Sequence, residues 1–303
     1  VLSKRRFTPA PIRRAFFFGL AGLALMAGVP SAQAQKGYRP PAGYLQLGKP
    51  DQEEGRRILE AFRATGSMGI AGDYYLSFEL RVMPRRGDEH SYAGGMWGSR
   101  NANGAISRVT LGSGAEERRL LVQNGPQAAV WTSQGTPGGA EVAMLGVSAL
   151  FTPVADGDLT AFDLQMPYLY WTDFVYEGIA RVRSRPAYQF LLYPPADFLA
   201  KYPALTGVRL YLDTQFRQPV QSEQIGDGGK LLKSMILQEL KKIGEQWIPK
   251  TIDLRDEVTR NRTRFGVTGA ALNQNFPAGL FAPAALAGAA PAPAAGTVIP
   301  VEQ

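Results

Sequence analysis

The 303-residue chain has no cysteine and a single histidine, His90. Lack of cysteine excludes disulfides, thiolate zinc sites, a cysteine nucleophile and a lipidated cysteine. One histidine cannot build the usual zinc constellation, so no metal and no cofactor is expected. A Ser-His-Asp triad would have to use His90, yet no Gly-x-Ser-x-Gly elbow presents a serine. Asp88-Glu89-His90 reads instead as a polar surface turn. Asp156-Gly157-Asp158 does not continue into a calcium-loop pattern. Asp173 and Glu177 would share a face only if their segment were helical. No catalytic residue is assigned, and the chain is not expected to be an enzyme.

Acidic residues are missing from the first 34 positions, which hold Lys4, Arg5, Arg6, Arg13 and Arg14. The apolar run Ala15 to Val29 follows, then Pro30 and the small-x-small triplet Ala32-Gln33-Ala34, the pattern of a secretory signal cleaved after Ala34. At about 15 residues the run is too short to span a bilayer core of about 30 Å. Arg13-Arg14 ahead of Phe16-Phe17 also fits a twin-arginine signal, so the export route stays open. The expected location is the periplasm. Of 33 basic and 26 acidic side chains, five basic ones lie in this leader, leaving 28 against 26. No basic patch dominates the remainder, so a nucleic-acid partner is not expected.

Beyond the leader, residues 35–286 read as one domain, and the Ala/Pro/Gly-rich 287–303 as a disordered tail. Asp51 and the acidic residues after it open an amphipathic helix carrying Ile58, Leu59 and Phe62 at helical spacing. From Ile70 the period becomes two: Tyr74, Leu76, Phe78, Leu80 and Val82 alternate with polar neighbours. Further strand-like runs follow at Ser91–Arg100, Ala105–Leu111, Arg119–Gln123 and Ala128–Ser133, joined by Asn/Gly/Pro turns. A short helix is expected in Val142–Leu150. The run Phe162–Trp171 is dense in aromatics. Strands resume at Gly178–Ser184, Tyr188–Tyr193, Val208–Thr214, Val220–Ile225, Lys230–Lys242, Trp247–Val258 and Arg262–Thr268. Such a chain predicts a mainly β protein with an antiparallel sheet, one face covered by a few helices and one face exposed.

The ordered series Phe162-Asp163-Leu164, Trp171 to Gly178, Tyr188 to Pro194, Val208 to Asp213, Gly229-Lys230, Trp247 to Lys250 and Thr263-Arg264-Phe265 resembles the outer-membrane lipoprotein-sorting proteins, relatives of the LolA and LolB carriers. The resemblance covers roughly Phe162 to Leu286. It implies an antiparallel, incompletely closed β-barrel (a half-barrel) with helices over the concave face and a hollow, apolar interior. It also implies binding of acyl chains of lipoproteins or other envelope lipids, without catalysis. The expected function is a periplasmic carrier that takes cargo from an inner-membrane transporter complex and delivers it to an outer-membrane acceptor. The alternative is a lipid- or lipoprotein-sensing regulator on the same scaffold, acting through a membrane partner.

The candidate cavity lining is Tyr74, Leu76, Phe78, Leu80 and Val82, with Trp131, Phe190, Leu192, Leu210 and Leu212. Leu164, Met166, Tyr168, Leu169, Tyr170 and Trp171 are the lid candidates, since methionine and aromatics suit a surface that repacks around varied chains. Lys241, Lys242 and Lys250 either touch anionic headgroups or form a solvated face.

Overall fold

Alternation along Asp73–Met83 is kept: Tyr74, Leu76, Phe78, Leu80 and Val82 all turn inward and are buried. This strand, β1, is the spine of a computed structural model described over residues 49–65, 70–138, 141–216, 218–294 and 296–301. The proposed leader lies outside the described residues. Ahead of β1 comes the helix α1 (Gln52–Thr65). Asp51 Oδ1 accepts the Glu53 amide at 3.0 Å and caps its first turn.

After β1 come β2 (His90–Asn101), β3 (Gly104–Leu111), β4 (Arg118–Gln123), β5 (Ala129–Gln134) and the two-residue β6 (Ala143–Met144). Each pairs antiparallel with the one before it. Glycines in β2 serve the inner face. A Cβ on Gly98 or Gly94 would fall 2.1 Å from the Tyr74 ring or 2.3 Å from the Phe78 ring. Those two aromatic rings therefore lie flat over their cross-strand glycines.

A connecting region holds a 3-10 turn at Val147–Phe151, the short helix α2 (Ala161–Gln165) and a second 3-10 turn at Pro167–Tyr170. The second strand series is β7 (Phe174–Val182), β8 (Arg185–Leu192), β9 (Gly207–Asp213), β10 (Pro219–Ile225), β11 (Leu231–Ile243), β12 (Gln246–Asp256) and β13 (Arg262–Gln274). A third helix, α3 (Ala196–Lys201), sits between β8 and β9, and β14 (Ile299–Pro300) ends the series. Antiparallel pairing of β1 with β13 joins the two meanders into one sheet of 14 strands. The sheet does not close, and β6 and β7 are its two ends. The fold is thus an open, mainly β half-barrel with a few short helices, as the sequence implies. α1 packs on β7, so it covers the inner face at that end.

Three findings differ from expectation. Residues 287–294 and 296–301 are placed against the sheet rather than loose: Ile299 and Pro300 pair with Ala270 and Gly269, and Val301 is buried. Arg108 and Trp97 hold this segment by bonds to backbone carbonyls that low complexity does not remove. Val142–Leu150 is a two-residue strand followed by the start of a 3-10 helix, Val147–Phe151, so the expected helix is confined to its second half. Finally, β13 runs on to Gln274, because β1 pairs with it over its whole length.

Candidate functional site

Nine of the ten lining candidates converge on the inner face. Tyr74, Leu76, Phe78, Leu80, Phe190, Leu192, Leu210 and Leu212 belong to one apolar cluster, and Val82 shares the alternation of β1. Trp131 does not join them. Its register partner is Leu121, and both lie in a separate cluster with Ile106 and Leu286 on the outer face. Val130, one residue away, takes the inward place in β5. Trp131 is therefore not part of the inner surface.

The interior beside these side chains is not hollow. Leu76, Leu80, Phe190, Leu192, Leu210 and Leu212 are all 0% exposed, so no water-sized space adjoins them. Residues 147–171, together with α3 and the turn after it to Leu205, fill the concavity. Of the lid candidates, Met166, Tyr168, Leu169 and Trp171 are buried in the same cluster, with Leu164 and Tyr170 half-buried at its margin. Aromatic contacts weld this cover together: Phe151 stacks on Phe162 at 4.6 Å and on Tyr202 at 3.6 Å, and Trp171 meets Phe198 at 5.3 Å.

Polar bonds hold the cover at two places, one to the sheet and one to α1. Thr160 and Asp163 cap α2 reciprocally, and Met166, with φ 47°, ends it in a left-handed turn. Asp163 Oδ2 accepts Thr160 N at 2.9 Å, Thr160 Oγ1 at 2.7 Å and Lys233 Nζ of β11 at 2.7 Å. Asp163 Oδ1 accepts Gln224 Nε2 of β10 at 2.8 Å. Lys233 also donates to Asp158 O at 2.6 Å, and Thr263 of β13 donates to Asp158 Oδ2 at 3.1 Å. All of these side chains are buried. Burial holds the Asp158 carboxyl above the ordinary carboxylate value, and burial likewise pushes up the Tyr168 phenol. The second tie is Arg63 of α1, whose guanidinium donates to the carbonyls of Leu169 and Trp171, the latter at 2.7 Å.

At the rim of β2, β3 and β4 a cleft of about 360 Å³ opens beside the cover. Tyr92, Leu111, Val154, Arg118 and Asp156 line it, with Tyr92 donating to Asp156 Oδ2 at 2.8 Å. Leu111 and Val154 are members of the inner cluster, so the cleft leads from solvent to the edge of the covered face.

The remaining sequence candidates take structural places. His90 is exposed, with its ring edge-on to Tyr92. Glu177 lies in β7 rather than on a helix and pairs with Arg209 at 2.7 Å, so it does not face Asp173 as a catalytic partner would. Lys250 pairs with Glu239 at 2.9 Å and Lys242 with Glu245 at 3.2 Å, while Lys241 is exposed. Among the described residues no group of three or more His, Asp or Glu side chains is placed to hold a metal ion. Sequence reasoning missed Lys233, Gln224 and Arg63. The available signal was parity: Lys233 shares the inward alternation of Met235 in β11.

A family model described as an uncharacterized protein matches residues 148–288, which begins with the cover and runs through β13. No curated protein matches the chain. Among solved structures, a DUF1329 family protein from Desulfovibrio piger aligns over 77% of this chain and 98% of its own, with TM-score 0.65 and 13% identity. A putative outer membrane lipoprotein-sorting protein domain from Vibrio parahaemolyticus aligns over 78% and 100%, also with TM-score 0.65 and 13% identity. A LolA superfamily protein from Nitrosomonas europaea aligns over 75% and 96%, with TM-score 0.54 and 16% identity. At these identities the likeness is one of fold. It is the fold that the ordered motifs of the second half imply.

Proposed function

We propose that this protein is a carrier of the bacterial envelope that shelters an acyl chain, of a lipoprotein or another lipid, between the inner face of its sheet and the cover formed by residues 147–171 and 196–205. The observation that supports this most is the inner face itself. It is a continuous apolar surface closed by a separate segment of the chain, on a fold like that of a lipoprotein-sorting domain. Because the interior is packed, binding requires the cover to move, and the chain replaces aromatic side chains rather than filling a ready cavity.

Magnitudes decide whether this is workable. An acyl chain removed from water contributes about 0.8 kcal/mol per methylene, hence on the order of 12 kcal/mol for about 15 methylenes. Disrupting a buried ion pair such as Asp163–Lys233 costs about 3–5 kcal/mol. With the displaced aromatics repacked against the acyl chain, a long chain therefore outweighs the tie and a chain of about four methylenes does not. This arithmetic supports a carrier that stays shut without cargo and discriminates by chain length. The rim cleft beside Leu111 and Val154 is the proposed mouth, and delivery to an outer-membrane acceptor from an inner-membrane donor is the proposed task.

Native mass spectrometry of the protein with fatty acids and lysophospholipids of graded length tests the reading. Retention of long chains and rejection of short ones is expected. Absence of any bound acyl species across the series would overturn it.

A further inference from the structure

On the outer face, away from the cover, register aligns a row of large side chains across five strands. Tyr75 of β1 pairs with Trp97 of β2, Trp97 with Arg108 of β3, Arg108 with Leu121 of β4, and Leu121 with Trp131 of β5. Residues 278–294 and 296–301 cross this row as a strap. Leu286 packs with Ile106 and Leu121, and Arg108 donates to Ala285 O at 3.0 Å and to Gly288 O. Trp97 Nε1 donates to Pro291 O at 3.1 Å, and Gly138 N to Ala287 O at 2.7 Å. Farther on, Ile299 and Pro300 add a short strand to β13. These bonds read only backbone carbonyls of a proline-containing chain, which coils through 3-10 helices at Ala278–Phe281 and Pro283–Ala287 before it runs on past Gly288. Aromatic-lined grooves recognise polyproline segments in the same manner.

The strap fits the groove in shape but not in charge. From Ala282 to Val301 it carries no charged residue. Beneath it Arg108 and Arg119 are 1% and 0% exposed, and the Nε of each lacks a hydrogen-bond partner. Arg119 pairs with Glu117 at 3.0 Å, and the same carboxylate acts on Arg108 only at longer range. Burial, and then the neighbouring Arg119 charge, hold the Arg108 guanidinium below its ordinary value. Buried guanidinium groups with unmet donors are costly and call for an anionic acceptor.

We infer that this groove is a docking site for a proline-containing segment of another protein that bears an acidic side chain, with the neutral strap as its resident occupant. Strap exchange with a second copy of this chain would bring the same uncharged chemistry and leave both Nε atoms unmet. The site lies on the face opposite the acyl-binding surface and does not depend on it.

The test titrates the full chain with two labelled peptides and follows fluorescence anisotropy. One peptide has the sequence of residues 282–300, and the other has Ala285→Glu. The acidic peptide is expected to bind about tenfold more tightly, the worth of a charge-assisted hydrogen bond. With Arg108→Gln in the protein the two affinities should converge. The comparison in the unaltered chain stands even if that variant fails to fold. A second measurement places Ala285→Glu in the protein itself, where it should raise Tm. Equal affinities, no binding of either peptide, or a fall in Tm with Ala285→Glu would overturn the inference, as would dimers of the full chain that the neutral peptide dissociates.

Discussion

The ammonium of Lys233 lies 2.7 Å from Asp163 Oδ2, joining β11 to α2 within the interior of the fold. Removing one partner leaves the other buried and uncompensated. Lys233→Met is expected to lower unfolding free energy by about 3–5 kcal/mol. The double variant Lys233→Met/Asp163→Asn should lose less than Lys233→Met alone, because no buried charge remains. Urea denaturation measures both. A double variant less stable than the single one would show that the two groups do not act as a pair.

Gln52 of α1 makes a different kind of tie. Its side-chain amide accepts Tyr176 N at 2.9 Å and donates to Tyr176 O at 2.9 Å, taking the place of a neighbouring strand on the end strand β7. That leaves less of the β7 edge open to pairing with another chain. Gln52→Ala should cost about 1–3 kcal/mol and speed amide exchange across Phe174–Val182. Unchanged exchange there would refute the role.

Three residues on in α1, Gly55 sits where a Cβ would fall 2.4 Å from Tyr176 Cβ. Gly→Ala in a helix ordinarily gains about 1 kcal/mol, but overpacking of this kind costs about 1–3 kcal/mol. Gly55→Ala should therefore destabilise the protein and loosen α1 from β7. A rise in Tm would mean that the helix adjusts freely.

Much of this arrangement was legible in the sequence, and the failures have local causes. Alternation in β1 names its inward residues because each apolar side chain is flanked by more polar ones. In β5, Val130 and Trp131 are adjacent and both apolar, so parity is ambiguous and only the register with Leu121 and Val122 resolves it. Composition marks 287–303 as loose, yet the order of its described residues depends on Arg108 and Trp97, more than 170 residues earlier in the chain. Burial of the cover is likewise non-local. Phe162, Tyr168 and Trp171 look alike in sequence whether they cap a cavity or fill it. The polar ties were hidden because Lys233 and Asp163 are 70 residues apart.

Asp158 supplies a pH signature. Burial holds its folded carboxyl above the ordinary carboxylate value, so the folded state binds more protons than the unfolded chain in the window above that value. The penalty it imposes is full at neutral pH and fades as pH falls through the raised value. Asp158→Asn keeps an acceptor for Thr263 without the charge. It is expected to raise Tm at pH 7, with the difference from the parent shrinking as pH falls towards 4. A difference that is constant with pH would contradict this assignment.

The central claim is that an acyl chain occupies the space beneath the cover, and the tryptophans report on it directly. Trp171 is buried in the cover, while Trp131 lies on the outer face and Trp247 is 49% exposed. Three variants, each keeping one of these and replacing the other tryptophans with Phe, can be titrated with a long-chain fatty acid brominated near its tail. The account expects strong quenching of Trp171, with Trp131 and Trp247 left nearly unchanged. Quenching of Trp131 or Trp247 without Trp171, or no quenching of any, would contradict it.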